Sequence, residues 1–241
     1  MKAKATMIKD LLATGPPFPT DMDVLRAELR TDHRLPERRF LLSFIPENSI
    51  GAELGVFTGL FSSLIAAQRK VARVTFVDPW WTLFGETYPD WGTYTNFGRL
   101  KTRSAYDIAR RRVSASRLPH RALEVALSYE WLDAQPDESL DWVYLDSSHS
   151  YEGTRRELQL LSRKLRPAGV ILGDDWQTDR MNRHHGVFIA VNEFVRGSEF
   201  ELVLCGMALQ WVLRRRLPDH THLPFLREDQ IHSLPGRERR G

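Results

Sequence analysis

Apolar residues fall into two alternating patterns along this chain. Short runs rich in β-branched and aromatic residues, SIGAEL at 49–54, RVTFVD at 73–78, ALEVAL at 122–127, DWVYLD at 141–146 and GVILGD at 169–174, predict buried strands. Between them apolar residues recur at helical spacing, through Leu60, Leu64, Ile65 and Ala67, over Thr93–Arg112, briefly over Tyr129–Ala134, over Tyr151–Leu165, and over Gly186–Arg196 with Val187, Ala190, Val191 and Phe194 on one face. Strands that alternate with helices imply a parallel sheet with right-handed crossovers. The last two strand-like runs, Glu199–Cys205 and Leu209–Arg215, have only Gly206-Met207-Ala208 between them and predict an antiparallel pair. Upstream, Asp21–Arg30 and Glu37–Ile45 read as short helices, after a segment in which Pro16, Pro17 and Pro19 disfavour regular structure. The expected organisation is a helical cap over 1–46, a main α/β domain over 47–216 and a loosely structured tail over 217–241.

Composition narrows the picture slightly. With 241 residues, 42% hydrophobic and 27% charged, the chain suits one well-buried core with extensions. It has no apolar run long enough to span a bilayer, and MKAKATMIKDLLATGPPFP lacks the apolar core and cleavage site of a secretory signal, so a cytoplasmic location is expected. Net charge is only +3, and the arginine clusters at 99–121, 155–166, 214–216 and in the terminal RERR read as solvated faces, so nucleic acid is not the favoured partner. A homo-oligomer is left open. Cys205 is the one cysteine, which rules out an internal disulfide; it is expected as a buried thiol.

The most informative stretch is GAELGVFTGLFSS at 51–63, where the first strand runs through a turn with Gly55 and Gly59 into a helix. Open α/β sheets bind adenosine-containing ligands at such a turn. No Gly-x-Gly-x-x-Gly or Gly-Lys-Ser/Thr is present, and Glu53 stands two residues before Gly55, where a carboxylate would repel a pyrophosphate. The arrangement suits a cationic ligand without phosphate, and S-adenosylmethionine (SAM) carries an ammonium and a sulfonium. Asp78, at the end of the second strand, is placed to bind ribose hydroxyls, and Ser128, after the third, to lie near adenine.

ELGVFTGLFS is similar to the SAM-binding motif of class I methyltransferases. DWVYLDSSHSYEGTRRELQLLSRKLRPAGVILGDDW resembles the matching run of a bacterial family within that fold, which includes sugar and natural-product methyltransferases and carries Asp-x-x-His-x-Tyr and a Pro-Gly-Gly turn. Ala168 stands where the first of those glycines is usual. The resemblance implies a Rossmann-like, doubly wound, mostly parallel sheet of seven strands with a terminal antiparallel hairpin.

Asp146 ends the fourth strand and Asp174 and Asp175 end the fifth, so all three are expected at one sheet edge. Carboxylates gathered there call for a cation, and Mg²⁺ is the expected one. The spacing also resembles that of metal-dependent catechol-type O-methyltransferases, with Asp175 at their Asn position and His149 where they place a lysine base. His149 is the candidate general base, while His184 and His185 have no recognisable ligand spacing and read as surface residues or substrate contacts. The aromatic run Trp80, Trp81, Phe84, Tyr88, Trp91, Tyr94 and Phe97 reads as either an acceptor wall or a hydrophobic plug. The reading is a SAM-dependent, metal-assisted O-methyltransferase of a small hydroxylated acceptor. A metal-independent methyltransferase, of a small molecule or of RNA, and a SAM-binding regulatory protein are the alternatives.

Overall fold

The computed structural model describes residues 34–67, 71–115, 118 and 120–216. The helix expected over 21–30 and the tail over 217–241 lie outside these residues. The expected helix at Glu37–Ile45 is instead a helical turn at Arg34–Glu37 followed by a 3₁₀ segment at Arg39–Phe44, whose Leu41 is buried.

From there β1 (Ile50–Leu54) leads to α1 (Leu60–Ala66), β2 (Arg73–Asp78), α2 (Thr102–Ser114), β3 (His120–Val125), α3 (Ser128–Ala134), β4 (Leu140–Leu145), α4 (Tyr151–Lys164), β5 (Leu165–Gly173), α5 (His185–Gly197), β6 (Phe200–Cys205) and β7 (Trp211–Arg215). They form a seven-stranded sheet in the order β3-β2-β1-β4-β5-β7-β6. The first five strands are parallel; β7 pairs antiparallel with both β5 and β6, so the expected hairpin closes the sheet with its second strand on the inside.

Alternation along the strands sorts the core onto two faces. On β4, Trp142 and Tyr144 face one side with Phe61, Ile65, Ala105 and Ala109 of α1 and α2. Val143 and Leu145 face the other, against Leu132, Leu158, Leu161, Val187 and Val191 of α3, α4 and α5. Helices therefore cover both faces, as a parallel sheet requires.

Three expectations are corrected. The helix predicted over Thr93–Arg112 begins only at Thr102: Asn96, Phe97 and Gly98 adopt positive φ and break the chain after a 3₁₀ turn at Gly92–Thr95. The third strand lies two residues earlier than expected, pairing from His120↔Arg73 to Val125↔Asp78, and Leu127 already caps α3. Cys205 is exposed, because it ends a strand at the sheet edge that β7 covers on one side only.

Candidate active site

The turn after β1 is built around a carboxylate. Gly55 (φ 93°) and Gly59 (φ 75°) take left-handed conformations, and a Cβ on Gly55 would fall 1.8 Å from the Asp146 carbonyl oxygen. Asp78, at the C-terminal end of β2, accepts hydrogen bonds from the amides of Val56 and Phe57, each at 2.9 Å, and from Trp80 N at 2.9 Å. The amides that a phosphate would need are thus already donated to an anion, and Asp78 would repel a second one. Glu53 is buried on β1, its Oε2 has no hydrogen-bond partner, and burial pushes its pKa well up, with Asp146 and Asp78 adding to the shift.

Beside this turn, β4 and β5 deliver Asp146, Asp174 and Asp175 to the same edge. Arg38, from the segment before the 3₁₀ turn, is 5% exposed and donates to Asp174 Oδ2 at 2.5 Å. Its other terminal nitrogen lies 3.7 Å from Asp146 Oδ2. Gln210 donates to Asp174 Oδ1 at 2.5 Å and accepts from Tyr144 Oη at 3.0 Å, so both Asp174 oxygens are engaged. Burial, reinforced by Asp146, still pushes Asp174 up to about 7 against the pull of Arg38.

Asp175 turns elsewhere. Its Oδ2 meets Nδ1 of His149 and, at 2.7 Å, Nδ1 of His184, whose ring stacks on that of His149 with centroids 4.8 Å apart. His149 and Asp175 both hold positive φ, 51° and 62°. Residues of this kind persist in that region only when their surroundings over-determine them. Burial opposes the charged form of each, yet their mutual contact wins: Asp175 falls to about 2, and His149 rises to about 9 with help from Asp146 and Asp174. Ser128, the first residue of α3, donates its hydroxyl to Glu157 of α4, which also accepts from Ser147 at 2.5 Å.

Residues 50–176, more than half of the chain, match a family described as a methyltransferase domain. The chain belongs to this methyltransferase family. Solved structures agree on the fold. A Corynebacterium glutamicum protein superposes with a TM-score of 0.53 at 16% identity, covering 91% of this chain and 100% of the other. A candidate caffeoyl-CoA O-methyltransferase from Staphylococcus aureus gives 0.53 at 11% identity, covering 90% and 100%. A candidate O-methyltransferase from Nostoc punctiforme gives 0.50 at 14%, covering 83% and 61%. A comparison with curated proteins returns no match.

The methyltransferase draws its methyl from SAM, and its site fits that donor. The glycine turn has no free amide cradle at Asp78, and the buried Glu53 carboxyl beside it keeps one oxygen without a hydrogen-bond partner. The expected magnesium set fits less well. Asp174 is taken up by Arg38 and Gln210, and among the described residues the donor atoms that converge are those of His149, Asp175 and His184. Of the expected residues, then, the methyltransferase brings Glu53, Gly55 and Asp78 together at the turn and His149 with Asp146 and Asp175 at the edge, while Ser128 turns its hydroxyl to Glu157. The residues that sequence reasoning missed are Arg38 and Gln210, while His184, read as a surface residue or substrate contact, packs on Asp175 and the His149 ring. Among the described residues, no helix of the methyltransferase is long and apolar enough to cross a membrane.

Proposed function

We propose that the chain transfers the SAM methyl group to a hydroxyl of a small acceptor, a sugar or natural-product scaffold, with His149 as the general base. One observation carries this reading: the His149 ring is held through Nδ1 by Asp175 at the sheet edge beside the glycine turn. With Nδ1 committed to a carboxylate, Nε2 is the nitrogen left to take a proton. Glu53, Gly55, Gly59 and Asp78 would hold the donor, and Ser128 would flank its adenine. Bound SAM supplies a methyl on a sulfonium, whose positive charge is lost as the C–S bond breaks. His149 Nε2 accepts the hydroxyl proton as the oxygen bonds to the methyl carbon, and Asp175 stabilises the resulting imidazolium. Because that imidazolium is favoured up to about pH 9, the reactive neutral ring becomes more abundant, and the rate rises, as pH climbs through neutrality.

A metal-independent reaction is the second reading, and Arg38 favours it: a guanidinium already compensates Asp174 and approaches Asp146. Mg²⁺ on Asp146, Asp174 and Asp175 would have to displace that guanidinium, so no step is routed through it. Retention of turnover after chelation supports the metal-independent course.

The test of the base is His149→Ala. Turnover is expected to fall by about 10²–10⁴-fold, with calorimetric SAM affinity retained; wild-type rates would refute the assignment. A chain that binds SAM and methylates none of a broad panel of sugars and hydroxylated natural products would instead be the regulatory SAM binder.

A further inference from the structure

We infer that His149, Asp175 and His184 form a binding site for a divalent transition-metal ion of the zinc class, distinct in donor set from the magnesium site expected on three aspartates. One ligand atom from each of the three residues lies within 4.8 Å of the other two. Asp175 Oδ2 contacts Nδ1 of His149 and Nδ1 of His184 directly. Asp146 Oδ1 lies 3.8 Å from His149 Nδ1 and adds negative charge and a second oxygen beside the cluster. The side chains are 36%, 21% and 10% exposed for His149, His184 and Asp175, so the cluster opens to solvent on one side, where water or a substrate oxygen can complete a coordination shell.

The choice of ion follows from the donors. Two imidazoles and one carboxylate suit zinc, cobalt, iron or nickel, whereas magnesium selects carboxylates, carbonyls and water in a strict octahedron. Neighbouring His185 is not one of the converging donors: its Nδ1 turns to the carbonyl of Gln177 at 2.8 Å, and among the described residues the cluster consists of His149, Asp175 and His184. Binding through Nδ1 requires each ring to carry its remaining proton on Nε2. On His184 that displaces the exposed Arg183, whose Nε now donates to His184 Nε2 at 2.8 Å.

A His149 so bound has no nitrogen left to accept a proton, so occupancy and the base role exclude each other. This consequence deepens the methyl-transfer reading and rests on it; the site itself does not. Zinc occupancy would then switch the enzyme off without touching the SAM turn.

The experiment is titration of the chelator-treated full chain with Co²⁺, followed by its visible d–d absorption. One Co²⁺ per chain is expected, displaced by Zn²⁺ and unaffected by millimolar Mg²⁺. His184→Ala should weaken Co²⁺ binding at least about tenfold, His184→Gln likewise, and His185→Ala should not. Circular dichroism verifies that each variant is folded. Absence of Co²⁺ binding by the folded wild-type chain, unchanged binding in His184→Ala, or equal competition by Mg²⁺ would each overturn the site. If Co²⁺ binds as expected and the metal-free chain methylates nothing, the function proposal fails while the site stands. Where turnover is found, Zn²⁺ should abolish it; undiminished turnover with the site filled would overturn the switch.

Discussion

Gly55 is the residue on which the proposed donor site depends most directly. Its φ of 93° and the 1.8 Å separation between a would-be Cβ and the Asp146 carbonyl leave no room for a side chain. Gly55→Ala is therefore expected to cost at least about 1 kcal/mol from the left-handed backbone alone. Because the clash pushes the turn off β4, it should also abolish SAM binding by calorimetry; unchanged affinity would sink the assignment. The place of this residue in the turn was legible in sequence, as were those of Glu53 on β1 and Asp78 at the end of β2, because a strand, a glycine turn and a helix are contiguous. The deeper role of Asp78 was not legible: its contact with the amides of Val56 and Phe57 spans more than twenty residues and exists only once β1 and β2 pair. The contact of His184 with Asp175 was not legible for a similar reason. His184 follows Asp175 by an irregular loop, and no spacing rule separates it from His185.

At the scale of elements, the segment before β1 is tied by Arg38 to the C-terminal end of β5, two strands from β1 in the sheet. A buried charge that loses its partner costs roughly 3–5 kcal/mol, so Arg38→Met should lower urea-unfolding stability by about 3 kcal/mol by stranding Asp174. Asp174→Asn in the same chain should recover much of that loss, and simple additivity of the two changes would show that the pair is not coupled. The partners lie 136 positions apart, beyond the reach of any periodicity. Arg38 also precedes the family match, which starts at residue 50. The strands themselves were legible, since five runs of buried β-branched and aromatic residues leave few other readings. The break at Asn96–Gly98 was not, because three successive left-handed residues follow from the packing of the aromatic insertion, where Phe57 stacks on Tyr94 and meets Tyr88 edge-on. That packing suits a plug and leaves Tyr94 and Phe97 half exposed for an acceptor.

For the whole molecule, the charged edge sets a pH profile. Asp175, lowered to about 2, contributes stability that is complete above the ordinary carboxylate range and is lost as pH falls toward 2. His149, raised to about 9, contributes stability that is complete below its ordinary value near 6.5 and is lost as pH rises to about 9. Asp174, raised to about 7, acts in the same direction as His149, since its folded form prefers the proton and loses that advantage as pH climbs from about 4 to 7. Metal-free protein should therefore be most stable on the acid side of neutrality and decline steadily toward pH 9. Thermal unfolding across that range measures it, and Asp175→Asn should flatten both limbs; a profile level from pH 6 to 9 would contradict the ion pairing. The sheet order was legible through the resemblance, but the sign of this profile was not, because three aspartates in sequence suggest a bound cation while the fold supplies Arg38, His149 and His184.

The exposed position of Cys205 has a practical consequence. It is the sole thiol of the chain, and it ends β6 beside the Met207–Leu209 turn, whose Leu209 carbonyl accepts from Trp176 N at 2.8 Å, next to Asp175. A maleimide dye will attach there once per molecule without any engineered cysteine, close enough to the charged edge to report on its occupants. Its emission is expected to change when SAM or Zn²⁺ is added, and a silent dye would mean that neither ligand disturbs the turn.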